Sequence, residues 1–228
     1  MDPLPVSGAR RTLPLFAAAL LAAVGACGRR PPLVPTEPVE AASPTAPDSF
    51  LVLLETTRGP VTILARRPWS PLGVDRFHDL VRRGFYDGVT VFRVVEGYVA
   101  QFGHTDSASV NQAWGARPLD DEPVVARNTR GRVAFARSGP NTRTYQLFVN
   151  LGENSPRLDT LAANGVVGYP PIGEVVEGMD AVETFESRYG NEPSARQDSI
   201  RARGGAYLDT AFPGLDRILE ARVVQRWE

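Results

Sequence analysis

The sequence contains no lysine, a single cysteine and only two histidines. Each shortage closes off a class of chemistry. Without lysine there is no Walker-type phosphate loop, no Schiff-base amine for a pyridoxal enzyme and no lysine general base. Cys27 cannot form a disulfide within the chain, and with His78 and His104 it is too little for a structural zinc site. Charge of one sign is also missing, since 25 basic residues, all arginine, stand against 26 acidic ones. The net charge of −1 offers no attraction for nucleic acid, and no nucleic-acid partner is expected. Repeated apolar runs of about 20 residues are absent, which excludes a polytopic membrane protein. What is present is a 43% hydrophobic content over 228 residues, enough for one ordinary domain with its own core.

The N-terminus reads as an address. Arg10 and Arg11 precede an apolar run from Leu13 to Ala26, a charged region followed by a hydrophobic region of signal-peptide length. The run ends in Val24-Gly25-Ala26-Cys27, which resembles the lipobox of bacterial lipoproteins. That resemblance implies cleavage before Cys27, lipidation of Cys27 and anchoring to a membrane, with residues 1–26 as the signal peptide. Several acyl chains on one residue anchor stably, because each buried CH₂ contributes about 0.8 kcal/mol. Gly28 follows the cysteine, where an aspartate often signals inner-membrane retention. The expected location is therefore the bacterial envelope, at the periplasmic face of the outer membrane in a diderm cell. Residues 28–49 carry six prolines and no aromatic residue. Such a segment buries too little apolar area to offset its ordering entropy, so 27–49 is expected to be a disordered, semi-stiff tether.

From residue 50 the pattern is that of a folded domain. Phe50–Thr57 and Pro60–Ala65 predict two strands joined by Arg58-Gly59. Ser70 and Pro71 open a helix as N-cap and first helical residue, and Val74, Phe77, Leu80 and Val81 give it an apolar stripe. Its polar side carries His78, expected to be exposed. Further strands are predicted at 90–95, 98–102, 132–137, 146–151, 172–176 and 219–225, with a second helix at 179–187. The polar stretch 104–130 has no sustained period and reads as loop, with His104 solvated and Asp120-Asp121-Glu122 a charged loop rather than a cation site. About eight strands and two helices without regular crossovers point to a mainly β antiparallel barrel or sandwich.

Three separated stretches carry a family likeness. Phe85-Tyr86-Asp87-Gly88 leads into Val91-Phe92-Arg93-Val94-Val95-Glu96-Gly97-Tyr98-Val99-Ala100-Gln101-Phe102-Gly103. Phe135-Ala136-Arg137-Ser138-Gly139-Pro140-Asn141-Thr142 precedes Gln146-Leu147-Phe148-Val149-Asn150, and Leu158-Asp159 precedes Gly168-Tyr169-Pro170-Pro171-Ile172-Gly173. In order and spacing these resemble the signatures of cyclophilin-type peptidyl-prolyl cis-trans isomerases over about residues 50–225. The resemblance implies a closed eight-stranded antiparallel β-barrel capped by an α-helix at each end. It implies an isomerase acting on X–Pro bonds of proline-containing polypeptides, working as a monomer without cofactor or metal.

Rotation about an X–Pro amide is slow because resonance must be broken, with a barrier of about 18–20 kcal/mol. A catalyst has only to favour the twisted amide, whose nitrogen recovers a lone pair and accepts a hydrogen bond. Arginine suits that role, being always charged and carrying a fork of donors. By resemblance the donor is Arg93, with Gln101 and Gln146 as the other catalytic side chains. Tyr98, Val99, Phe148, Leu158 and Ile172 match the wall that receives the proline ring, and Ala136 and Arg137 match a stretch whose main chain pairs with the peptide. Phe92 stands where a histidine is common, Val99 replaces the usual methionine and Ile172 a phenylalanine. A pocket altered in this way leaves open a second reading, a proline-peptide-binding or chaperone module without useful turnover. Ser138-Gly139-Pro140 is not a nucleophile elbow. The tail 189–218 resembles a bacterial subgroup with an extended terminus and carries no functional reading of its own.

Overall fold

The structure is a computed structural model that describes residues 43–160, 162–163 and 166–227. Cys27, the expected signal peptide and most of the expected tether lie outside the described residues. The folded part begins earlier than residue 50. Ser43 Oγ accepts from Arg76 Nε at 3.1 Å, Ala46 N donates to Asp75 Oδ1 at 2.8 Å, and Ala46 is buried.

Strands β1 (Ser49–Thr56) and β2 (Gly59–Arg66) form the expected hairpin. In β1 every second residue is buried, so Phe50, Val52 and Leu54 face the core. Helix α1 (Pro71–Arg82) lays Val74, Phe77, Leu80 and Val81 into the same core. There follow β3 (Val91–Val95), β4 (Val99–Phe102), α2 (Ala108–Gly115), β5 (Arg132–Phe135), β6 (Leu147–Asn150) and α3 (Arg157–Thr160). A two-residue pair, β7 (Ala162–Ala163) and β8 (Val166–Val167), precedes β9 (Pro171–Glu177) and α4 (Met179–Glu183). The tail holds a 3-10 turn (Glu192–Arg196), α5 (Gln197–Arg203) and α6 (Gly205–Ala211), and the last strand is β10 (Ile218–Trp227).

Eight strands make one antiparallel sheet in the order β10-β1-β2-β9-β5-β6-β4-β3. The sheet is curled but open, which corrects the expected closed barrel. Among the described residues, its edges β3 and β10 are joined by the single bridge Thr90–Arg217, flanked by bonds from Val91 N to Asp216 O and Ile218 N to Val89 O. Beyond it the edges part, and β3 packs against the 3-10 turn of the tail. Two capping helices also understate the helical content: α2 lies inside the expected loop, capped by Ser107 Oγ, and α5 and α6 lie in the tail.

The polar side of α1 is covered as well, because β10 packs across it. His78 is therefore buried, its ring 4.8 Å from that of Phe50, and not exposed as expected. The N-terminus of α1 is capped from a distance. Ser70 makes no side-chain cap bond of its own; its hydroxyl donates to the Glu122 carboxylate, which also accepts from Leu72 N at 2.8 Å and Gly73 N at 3.2 Å. Glu122 is thus a structural group that also pairs with buried Arg143 at 3.0 Å, rather than part of a solvated charged loop.

Candidate active site

The site lies on the outer face of the sheet, away from the main core, and a bulge creates it. Pairing between β3 and β4 slips between Val91 and Arg93, so that Val91 pairs with Phe102 and Arg93 with Gln101. The extra residue lets Val91 and Val94 both face the core while Phe92 and Arg93 face outward. Gln101 in turn pairs with Phe148, and Phe148 with Ala134. One row across four strands thereby presents Arg93, Gln101, Phe148 and Ala134 on a single face. Gly103 lets β4 end close against β6: at φ +132° it sits where a Cβ would fall 2.7 Å from the Gln146 Cα.

A cleft of about 230 Å³ opens over this row, lined by Arg93, Tyr98, Val99, Gln101, Ala136 and Arg137 together with Phe148, Leu158, Tyr169, Ser194 and Gln197. Val99, Phe148 and Leu158 are buried and form its apolar wall with Tyr98, Ala136 and Tyr169. Nine of the ten expected site residues therefore gather here, counting Gln146, which joins through hydrogen bonds. Ile172 does not. It is fully buried in the main core, because it is the unpaired residue where β9 slips against β5, between the pairs Val133–Gly173 and Ala134–Pro171. A Cβ on Gly73 would fall 2.9 Å from Ile172 Cγ2, which shows how closely α1 covers it. Its expected place in the wall is taken by Tyr169, whose ring meets that of Phe148 edge-on at 5.7 Å.

The polar side of the cleft is a hydrogen-bonded series. Arg93 Nη1 donates to Gln101 Oε1 at 2.9 Å, Gln101 Nε2 to Gln146 Oε1 at 2.9 Å, and Gln146 Nε2 to Gln197 Oε1 at 3.2 Å. Arg93 Nε donates to Asn191 Oδ1 at 2.8 Å. Burial pulls the Arg93 pKa down from its ordinary value, and Tyr98 and Tyr169 oppose that shift. The group stays a cation at any working pH. Arg93 and Arg157 both lie over the Tyr98 ring, at 5.6 and 5.3 Å, which fixes that ring at the cleft edge. Arg137 lies 4.7 Å over the Tyr169 ring and donates to Gly168 O at 3.0 Å, so its side chain braces the wall.

His104, expected in solvent, is 1% exposed. Its Nε2 lies 2.8 Å from Gln197 Oε1, its Nδ1 is 3.3 Å from the Tyr145 hydroxyl, and its ring packs 5.3 Å from Phe92. Burial first, and Arg201 in addition, lower its pKa to about 4 against the raising effect of Gln197. The ring is therefore neutral near pH 7. The two bonds then assign the proton to Nε2, with Nδ1 accepting from Tyr145.

Tyr169, Asn191, Ser194 and Gln197 escape a reading of the sequence. Tyr169 had a signal, an aromatic residue inside the third matched stretch. The other three lie in a tail without hydrophobic period, and Asn191 reaches Arg93 across 98 positions.

The outer face of the curled antiparallel sheet thus sets a donor-rich guanidinium against an apolar hollow. The sequence model described as "Cyclophilin type peptidyl-prolyl cis-trans isomerase/CLD" matches residues 51–203, and the chain belongs to that family. A peptidyl-prolyl cis-trans isomerase of Acinetobacter baylyi is 29% identical over 156 residues, covering 66% of this chain and 81% of the relative. Peptidyl-prolyl cis-trans isomerase B of Escherichia coli is 29% identical over 153 residues, covering 65% of this chain and 91% of the relative. Among solved structures, the cyclophilin AquaCyp293 from Hirschia baltica superposes with a TM-score of 0.55 at 19% identity, covering 79% of this chain and 76% of that one. A cyclophilin type isomerase from Cryptosporidium parvum gives 0.55 at 18% identity, covering 77% and 98%.

Proposed function

We propose that this chain accelerates cis–trans isomerisation of X–Pro bonds by hydrogen bonding from Arg93 to the twisted prolyl amide. The carrying observation is the Arg93 guanidinium, held at Nε and Nη1 by Asn191 and Gln101 beside the wall of Val99, Phe148 and Leu158. Among the described residues, two of its five N–H groups donate to side chains of the protein, which leaves donors for a substrate. The proline ring enters the hollow and is desolvated. As the amide twists, its nitrogen pyramidalises and accepts from Arg93. No bond is broken and no proton is transferred. Stabilising the twisted state by about 4 kcal/mol gives roughly a thousandfold acceleration. Gln101 holds the guanidinium, Gln146 holds Gln101, and both offer amides to the peptide backbone.

The clients we propose are exported or envelope proteins, reached from a lipid anchor on Cys27. Support comes from the arginine pair, the apolar run and the Val24-Gly25-Ala26-Cys27 sequence. Export delivers unfolded chains whose X–Pro bonds are partly cis and revert over tens of seconds or more. Labelling of cells with a lipid precursor tests the anchor: wild-type protein takes up label, and label on Cys27→Ala contradicts it. NMR exchange spectroscopy of a proline peptide tests the chemistry. Catalytic amounts of protein broaden and exchange the cis and trans signals, and unchanged spectra contradict the isomerase reading.

A further inference from the structure

Phe92, which stands where the resembled family commonly has a histidine, and His104 are both covered by the tail. Phe92 is fully buried in a small cluster of its own with Ile200, Leu208 and Phe212. His104 packs on Phe92 and bonds Gln197. Two residues on, the Asp106 carboxylate accepts from Gly205 N at 2.9 Å. The approach is tight, because a Cβ on Gly204, at φ +61°, would fall 2.6 Å from the Asp106 carbonyl oxygen. The segment 189–212 is thereby seated on the strand that carries Arg93 and on the loop after β4.

Once seated, the segment lines the cleft with Ser194 and Gln197 and bonds Arg93 through the exposed Asn191. Asn191 takes the Nε–H of Arg93, Gln197 takes the Nε2–H of Gln146, and Ser194 lines the cleft with a buried hydroxyl that has no partner among the described residues. The catalytic series is thus held at both ends by the tail. An arginine side chain left to itself populates many rotamers, and fixing it costs entropy at every turnover. A guanidinium gripped at Nε and Nη1 has its plane set before the substrate arrives.

We infer that the tail segment 189–203 is part of the active site, with Asn191 a positioning residue that sets the Arg93 guanidinium. This rests on the isomerase reading of the site. Asn191 does not touch the reacting amide; it acts through Arg93. Its effect falls on turnover rather than on peptide binding, because the apolar wall that binds proline does not include it.

The experiment compares Asn191→Ala and Asn191→Asp in the full chain, in a proline-peptide isomerisation assay and by ¹⁵N NMR of the arginine Nε–H groups. Asn191 is exposed, so the alanine variant folds with an unchanged melting temperature. Its expected kcat is about tenfold below wild type with KM within about twofold, the scale of one hydrogen bond to a charged group. Asn191→Asp keeps an acceptor oxygen at Oδ1 and recovers most of the loss. The Arg93 Nε–H exchanges slowly with water in wild type and fast in Asn191→Ala. Wild-type turnover in Asn191→Ala, faster turnover, or an unchanged Nε–H exchange rate overturns the inference. Arg93→Ala in the same assay separates the two claims. Loss there beside an unaffected Asn191→Ala removes only the tail's role. An inactive wild type removes the isomerase reading, and the Nε–H exchange still decides whether Asn191 grips Arg93.

Discussion

Arg93 and Gln101 face each other as register partners across the β3–β4 hairpin, and the guanidinium Nη1 donates to the amide Oε1 at 2.9 Å. The bulge at Phe92 is what puts them on the same outward face. The planar fork is needed for this arrangement, since Nε and Nη1 serve different partners. Arg93→Lys keeps the charge but gathers its three donors on one nitrogen at the end of a flexible stem, which cannot reproduce the fork that serves Asn191 and Gln101 from Nε and Nη1 while also reaching a substrate. The expected loss in kcat/KM is on the order of tenfold to a hundredfold, read by isomerisation kinetics. Lysine activity equal to wild type shows that charge alone suffices.

Ile172 separates core from pocket. It is fully buried under α1 and lies outside the cleft. Ile172→Ala is expected to cost about 2–5 kcal/mol of stability, measured by urea unfolding, with kcat near wild type. A selective loss of peptide affinity at unchanged stability returns it to the proline wall.

Glu122 and Arg143 form an ion pair whose side chains are nearly or fully buried. Glu122→Ala removes the cap of α1 and leaves the Arg143 charge without its partner. Breaking a buried pair from one side costs about 3–5 kcal/mol. Denaturant midpoints of Glu122→Ala and of the double variant Glu122→Ala/Arg143→Met check this, and the double variant recovers part of the loss. A change below about 0.5 kcal/mol in the single variant contradicts the capping role.

His104 gives a pH dependence with a definite sign. Its folded pKa is about 4 against an ordinary value of 6.5, so the unfolded chain binds more protons between those values. Its contribution is complete above about pH 6.5 and is lost as the pH falls through the window down to about 4. The full span corresponds to about 3 kcal/mol. His78 is shifted downward by burial in the same sense, and carboxylates titrate nearby, so the comparison is with His104→Gln rather than with pH 7 alone. Unfolding midpoints measured from pH 7 to 4.5 should fall more steeply in wild type than in His104→Gln. Parallel curves contradict a buried neutral His104.

The alternation in β1, the stripe of α1 and the three matched stretches made the sheet legible in the sequence, and brought to notice nine residues that the fold gathers around one cleft. What escaped depends on pairings that no local pattern encodes. A one-residue slip in β9 turns Ile172 inward, and a similar slip in β3 turns Phe92 and Arg93 outward together. His104 looked solvated because its cover, Phe92 and Gln197, comes from 12 positions before it and 93 after it. The open seam follows from β3 and β10 meeting at one bridge, a relation between residues 127 positions apart.

Arg93→Ala in a protease-coupled proline-peptide assay, on residues 28–228, is the most direct measurement. Wild-type protein accelerates cis-to-trans conversion, and the variant, with an unchanged far-UV spectrum, loses most of that acceleration. Equal rates for the two proteins contradict the central claim that the Arg93 guanidinium carries the catalysis.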